Sequence, residues 1–406
     1  MNSGFNQIAN GNICSPKGFL SGSVFSGIKS PGQDKRDIGI IFSEYDCVSA
    51  GTFTRNSIVS PSVNWTKSTV DKGNLRAVVA NSGCANTSVG EQGFIDAKEM
   101  AEITSQALNI DIESVAVAST GIIGVELPMA LMRKYIPQIK ISKNDGNGFA
   151  RSILTTDKRT KEMAISLEIG GSIVSIGGVA KGSGMIHPNM ATMLAFIGTD
   201  AAIDKKTLDR ALKEANNKTF NRITVDGDTS TNDMALLLAN GKAKNISIRA
   251  GTPAYSKFVD KLTELCLYLA HKIVLDGEGA TKFVTIRVQG VKTKTHAHVV
   301  AKSIATSLLV KTALFGQDPN WGRIIAAVGS SGVPFNPNKI KILLNDSVLF
   351  NNGMPEKSSL KSNLRKKMQS KNIFICIDLK SGIYSDEVYT CDLSYDYVRI
   401  NAEYTT

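Results

Sequence analysis

At 406 residues and 42% hydrophobic, the chain is too long for one ordinary core and too apolar for disorder, so two globular lobes are expected. Its formal charge of +11 admits anionic partners, but the densest basic stretch, residues 357–371, interleaves its cations with Leu360 and Leu364 rather than aromatics. That stretch reads as an amphipathic helix with a solvated face and argues against a nucleic-acid platform.

Residues 37–42 and 76–80 read as short buried strands, and 94–108 as a helix with Ile95, Met100, Ile103 and Leu108 near its period. Another strand, 115–118, ends at Ser119-Thr120-Gly121. Pro128 suits the first turn of a helix running through Met132 and Tyr135. Residues 163–169 and 173–176 flank Gly170-Gly171 as a hairpin. The hairpin leads into Lys181-Gly182-Ser183-Gly184 and then to Ala191-Thr192, ahead of a buried strand at 193–197. In the second half, 205–216 reads as a helix and 222–225 as a short strand. The polar loop 226–232 is expected to cap a helix beginning near Met234. Residues 253–275 form the longest helix, with Phe258, Leu262, Leu265, Leu269 and Ile273 on one face, and Asp276-Gly277-Glu278-Gly279-Ala280 breaks it. A strand at 283–288, a helix at 298–314 and strands at 340–344, 373–377 and 397–400 complete the chain. The class is α/β, a two-lobed layered sandwich of mixed sheets and helices without a strict βαβ repeat.

No apolar run reaches the length of a membrane span, and residues 1–6 lack the build of a signal peptide, so a cytoplasmic protein with no membrane partner is expected. The six cysteines form no Cys-x-x-Cys pair, and His296-Ala297-His298 is a poor chelate, so buried reduced thiols and no metal are expected. Neither a phosphate-cradling loop nor a nucleophile elbow is present in its required order.

The segment 181–194 carries the chemistry. A hydroxyl at the start of a buried strand, after a small residue and a glycine-flexible loop, suits self-cleavage. Cutting the Ala191–Thr192 bond would give Thr192 an α-amine that can serve as base for its own hydroxyl. Thr120-Gly121 at a strand end can face a developing oxyanion. Glu278 on a pliable loop can pair with an amine, and Lys181 with a carboxylate. Judged singly, each is more often an ordinary residue: a strand threonine, a turn, a loop carboxylate in water and a solvated lysine.

Taken together, Asn81-Ser82-Gly83-Cys84-Ala85-Asn86, the segment 118–124, Leu154-Thr155-Thr156-Asp157, the segments 181–194 and 276–282, Asp318-Pro319-Asn320-Trp321-Gly322-Arg323 and the closing run 391–402 resemble the ornithine acetyltransferase (glutamate N-acetyltransferase) family almost end to end. The resemblance implies a self-processing N-terminal-nucleophile enzyme, cut between Ala191 and Thr192 into an α chain (1–191) and a β chain (192–406) that stay folded together. It implies that Thr192 accepts the acyl group, that Thr120 and Gly121 form the oxyanion hole, and that Thr155, Lys181, Thr192, Glu278, Asn401 and Thr406 contact substrate. N2-acetylornithine would be the donor and glutamate the acceptor in arginine biosynthesis, with no cofactor. Acetyl-CoA as a further donor is left open, and a dimer of αβ units is suggested. The rival readings are a self-processing amidase or aminopeptidase of the same fold, with water as acceptor, and a basic nucleic-acid-binding protein.

Overall fold

The computed structural model describes residues 7–29, 35–187, 193–356 and 361–403, with 361–363 as backbone only. Its strands form two sheets, each mixing parallel and antiparallel pairs. The first comprises β1 (Phe19–Val24), β2 (Ile38–Phe53), β3 (Asn74–Cys84), β4 (Val115–Ile122), β5 (Lys161–Ile169), β6 (Ser172–Lys181), β7 (Leu194–Thr199) and β8 (Met234–Ala239). Their order is β4-β3-β2-β8-β7-β6-β5, with β1 also on β2. The second comprises β9 (Phe283–Val291), β10 (Lys341–Leu344), β11 (Ser347–Asn351), β12 (Met354–Pro355), β13 (Asn372–Asp378) and β14 (Tyr384–Cys391), in the order β12-β11-β10-β13-β9-β14.

Helices α1 (Pro61–Lys72), α2 (Gln92–Leu108), α3 (Met129–Tyr135), α4 (Gly146–Ser152), α5 (Lys205–Lys218) and α6 (Pro253–Leu275) cover the first sheet. Ala195, Ile197, Ala235 and Leu237 pack with Leu208, Leu212, Leu265 and Leu269 of α5 and α6. The alternate residues Leu194, Phe196, Leu236 and Leu238 pack with Val63 and Val70 of α1 and Phe149 of α4. A strand buried on both faces carries an unbroken apolar run, and β7 and β8 are such strands at the centre of the sheet. The second sheet is covered by α7 (Lys294–Thr306), α8 (Leu308–Phe315), α9 (Trp321–Gly329) and α10 (Lys361–Met368), around Val284, Ile286, Val300, Ile304 and Ile375. Helix α11 (Tyr395–Glu403) follows β14.

The expected two-lobed α/β sandwich is therefore present, as two helix-covered sheets. In the first sheet β6 and β7, which precede and follow residues 188–192 in the chain, pair from Ile176↔Thr199 to Lys181↔Leu194. Strand β8 likewise pairs with β2. The sheets separate after α6, ahead of β9.

Four expected elements differ. The run expected to open a helix near Met234 is β8: its six residues are all buried, too short a run for periodicity to separate strand from helix. Residues 397–400 lie in α11 and are not a strand; Ser394 Oγ accepts the Tyr397 N–H at 3.4 Å and starts that helix. The helix expected at 298–314 is two helices bent by 59°, because Ser307 leaves the helical conformation to cap α8 through the Val310 N–H. Residues 222–225 form no strand, only a bridge from Ile223 to Tyr389. Within the expected basic helix at 357–371, α10 covers Lys361–Met368. All six cysteines are buried and unpaired. No single helix among the described residues is long and apolar enough to cross a membrane, and none of their His, Cys, Asp and Glu side chains cluster to hold a metal.

Candidate active site

Lys181 is the last residue of β6, and its side chain is 10% exposed. Its Nζ donates to Thr155 Oγ1 at 2.8 Å and Thr120 Oγ1 at 3.2 Å, and lies 3.9 Å from Asp157 Oδ2. Burial pushes the Lys181 pKa below the ordinary lysine value, against the opposing pull of Asp157. Asp157 is itself fully buried. Its Oδ1 accepts from Lys161 Nζ at 2.6 Å and from the Gly182 N–H at 2.7 Å, and Lys161 also meets Asp276 at 2.7 Å. Burial alone would raise the Asp157 carboxyl, but Lys161 and Lys181 outweigh it and hold it well below the usual range. A buried cation braced by a network of ionised partners and hydroxyls is a stable anchor for a ligand anion.

Glu278 stands on the loop that breaks after α6. Its backbone N–H reaches Ser183 O at 2.9 Å, which ties this loop to the glycine-rich segment. Its Oε1 accepts from Thr156 Oγ1 at 2.6 Å and its Oε2 from Asn401 Nδ2 at 2.8 Å. The two adjacent threonines divide the work: Thr155 serves the lysine and Thr156 the glutamate. Gly184 makes this possible, since a Cβ there would sit 2.4 Å from the Glu278 carboxylate.

Thr120 and Gly121 lie near the end of β4, just before its final residue Ile122, beside Ser82 and Gly83 of β3. Gly121 has φ +133°, and a Cβ on it would lie 2.3 Å from the Gly83 carbonyl carbon. Only glycine allows this crossing of two strand ends. With Lys181, Glu278, Tyr397 and Asn401 they line one cavity of about 230 Å³. The structure thus brings Thr120, Gly121, Thr155, Lys181, Glu278 and Asn401 together. Ala191, Thr192 and Thr406 lie outside the described residues. Met193, one peptide bond after Thr192, lines the same cavity.

Sequence reasoning missed the loop 226–233 as part of the site. Asp226 accepts the backbone N–H groups of Met185 at 2.7 Å and Ile186 at 2.8 Å, fixing the segment after Gly184, and Tyr397 donates to it at 3.4 Å. Asp233 lines the cavity at 2% exposure, and burial pushes its carboxyl well above the usual range. The signal was there: this stretch holds more acids and amides than capping one element requires. Conversely, the segment 318–323 stands outside the cavity. There Asn320 caps α9 through the Arg323 N–H, and Arg323 reaches back to Leu309 O. His187 contacts Thr224 at 3.1 Å, and burial drives its pKa down to about 4.

A buried lysine and a braced carboxylate on one small polar cavity, beside a strand-end hydroxyl and glycine, define a mixed α/β enzyme suited to a compact zwitterion. The ArgJ family profile matches residues 21–406. The chain is 43% identical over 400 residues to the arginine biosynthesis bifunctional protein ArgJ of Oceanobacillus iheyensis, covering 98% of this chain and 97% of that relative. It is 45% identical over 398 residues to the protein of the same name from Symbiobacterium thermophilum, covering 98% and 99%. The crystal structure of arginine biosynthesis bifunctional protein ArgJ from Bacillus halodurans aligns with a TM-score of 0.50 at 43% identity, over 52% of this chain and 98% of that one. The chain belongs to the ArgJ family.

Proposed function

We propose that the chain transfers the acetyl group of N2-acetylornithine to glutamate through an acyl-Thr192 intermediate, releasing ornithine and N-acetylglutamate in arginine biosynthesis. The observation that carries this reading is the single cavity in which Lys181, Glu278, Thr120 and Gly121 meet beside Met193. Both substrates carry an α-carboxylate for Lys181, and the donor carries a free amine for Glu278.

Cleavage between Ala191 and Thr192 gives chains 1–191 and 192–406 and frees the Thr192 α-amine. Two facts support that division. The β6–β7 and β2–β8 pairings would keep the two parts in one sheet after the cut. The matched Bacillus halodurans polypeptide is almost wholly aligned yet spans only 52% of this chain.

In the forward reaction the α-amine takes the proton of the Thr192 hydroxyl, whose oxygen attacks the acetyl carbonyl carbon. Negative charge collects on the carbonyl oxygen, facing Thr120 and Gly121. The carbon–nitrogen bond breaks, and the α-amine returns its proton to the departing ornithine nitrogen. The glutamate amine then attacks the acyl ester and reverses these transfers. The reading asks for no cofactor and gives ping-pong kinetics. The test is incubation of N2-acetylornithine with and without glutamate. N-acetylglutamate should form only with glutamate, at a rate well above acetate release. Free acetate as the main product in both would instead mean a hydrolase of the amidase kind.

A further inference from the structure

Asn232 sits in the loop before β8 at 5% exposure and uses the full capacity of its amide. Its Nδ2 donates to Ser119 O at 2.8 Å and to Ala85 O at 2.5 Å. Its Oδ1 accepts from Thr87 Oγ1 at 2.8 Å and from Thr231 Oγ1 at 2.5 Å. These partners lie 113 and 147 residues away for the two carbonyls, so local chain geometry does not place them.

The Ser119 carbonyl and the Thr120 N–H belong to one rigid peptide plane. Holding that oxygen fixes the tilt of the plane and therefore the direction in which Thr120, and Gly121 after it, leave β4. Ala85 O belongs to the turn that follows Gly83, the glycine whose carbonyl Gly121 crosses at contact distance. The same turn is held from its other side by Ile122 O, which accepts the Ala85 N–H at 2.9 Å. One amide thus clamps both strand ends whose crossing shapes the wall at Thr120 and Gly121. Thr87 Oγ1 and Thr231 Oγ1 set the rotamer of that amide by donating to its oxygen.

We propose that Asn232 is a positioning residue for the oxyanion wall, donated by the part of the chain after Thr192 to strand ends that precede it. The inference rests on the acetyl-transfer reading above. Asn232 lines the cavity, but both its amide hydrogens and its oxygen are committed to backbone and hydroxyl groups. Its removal should therefore disturb the transition state more than ground-state binding.

The experiment compares Asn232→Ala and the double variant Thr87→Val with Thr231→Val against the wild-type enzyme in steady-state acetyl transfer, alongside thermal midpoints and intact mass. Misplacing an oxyanion donor costs about a hundred-fold or more in kcat, and Asn232→Ala should approach that loss with KM for both substrates within a few-fold. The double variant keeps both Asn232 donors and removes the two hydroxyls that orient them, so it should lose kcat several-fold, again at unchanged KM. A folded Asn232→Ala enzyme with near-normal kcat overturns the proposal, as does a rise in KM at constant kcat. Should Asn232→Ala not fold, the double variant decides, and unchanged kcat there is equally fatal. If the wild-type enzyme transfers no acetyl group, it is the functional reading that fails.

Discussion

Gly184→Ala places a methyl group where the Glu278 carboxylate stands. The new Cβ would lie 2.4 Å from Cδ, Oε1 and Oε2 of Glu278, whereas ordinary carbon contacts need about 3.5 Å. The carboxylate must retreat by about 1 Å. Its bonds to Thr156 at 2.6 Å and Asn401 at 2.8 Å then stretch past hydrogen-bonding range, which ends near ~3.2 Å. The obstructing atoms are the far end of a flexible side chain, and Gly184 has no positive φ, so the fold should hold. What is lost is the placement of the charge assigned above to the substrate amine. A hydrogen bond to a charged group contributes about 1.5–3 kcal/mol, so KM for N2-acetylornithine should rise about ten- to a hundred-fold. The assay is steady-state kinetics with each substrate varied in turn, with the thermal midpoint measured on the same preparation. A near-native midpoint with unchanged KM for acetylornithine would refute the assignment of Glu278 to the amine.

Three further outcomes follow from the same geometry. Because burial lowers the Lys181 pKa, its charge is lost at lower pH than an ordinary lysine's. KM for both carboxylate-bearing substrates should therefore climb on the alkaline side, and Lys181→Arg, whose charge persists, should abolish that climb; a flat wild-type profile would count against the carboxylate role. Asp157→Asn takes from Lys181 its paired carboxylate and leaves Lys161 with Asp276 alone, and should cost about 3–5 kcal/mol in denaturant unfolding. Since the folded Asp157 pKa is depressed, this stabilisation is complete above the unfolded value of about 3.9 and fades as pH falls towards the folded one, so the wild-type advantage over the variant should shrink in acid. Gly121→Ala forces a Cβ to within 2.3 Å of Gly83 and should reduce kcat by about a hundred-fold or more through the displaced oxyanion wall, a loss that single-turnover kinetics would detect.

Much of this site was legible because its chemistry is local. Lys181, Glu278 and Thr120-Gly121 are marked in the chain by glycines and strand ends, and the structure brings all of them to one cavity. What sequence could not supply was the partner of each group. Asp157 reads as one more loop acid, and only folding places it between Lys161 and Lys181. Asn232 looks like a cap, yet it grips strand ends more than a hundred residues upstream. The misread elements have the same origin. Residues 234–239 are apolar because both faces of β8 are covered, by α5 and α6 on one side and by α1 and α4 on the other, and a six-residue run cannot reveal that. The turn to α11 hangs on the Ser394 hydroxyl, which also donates to Gly279 O at 2.6 Å, a tertiary contact with no sequence period.

The most direct test of the acyl-threonine mechanism is the intact mass of the denatured enzyme before and after mixing with N2-acetylornithine. Two chains dividing after Ala191 are predicted, the one beginning at Thr192 gaining a single acetyl group and losing it when glutamate is added. An active wild-type enzyme that stays in one piece, or turns over without acetylating that chain, would contradict the mechanism.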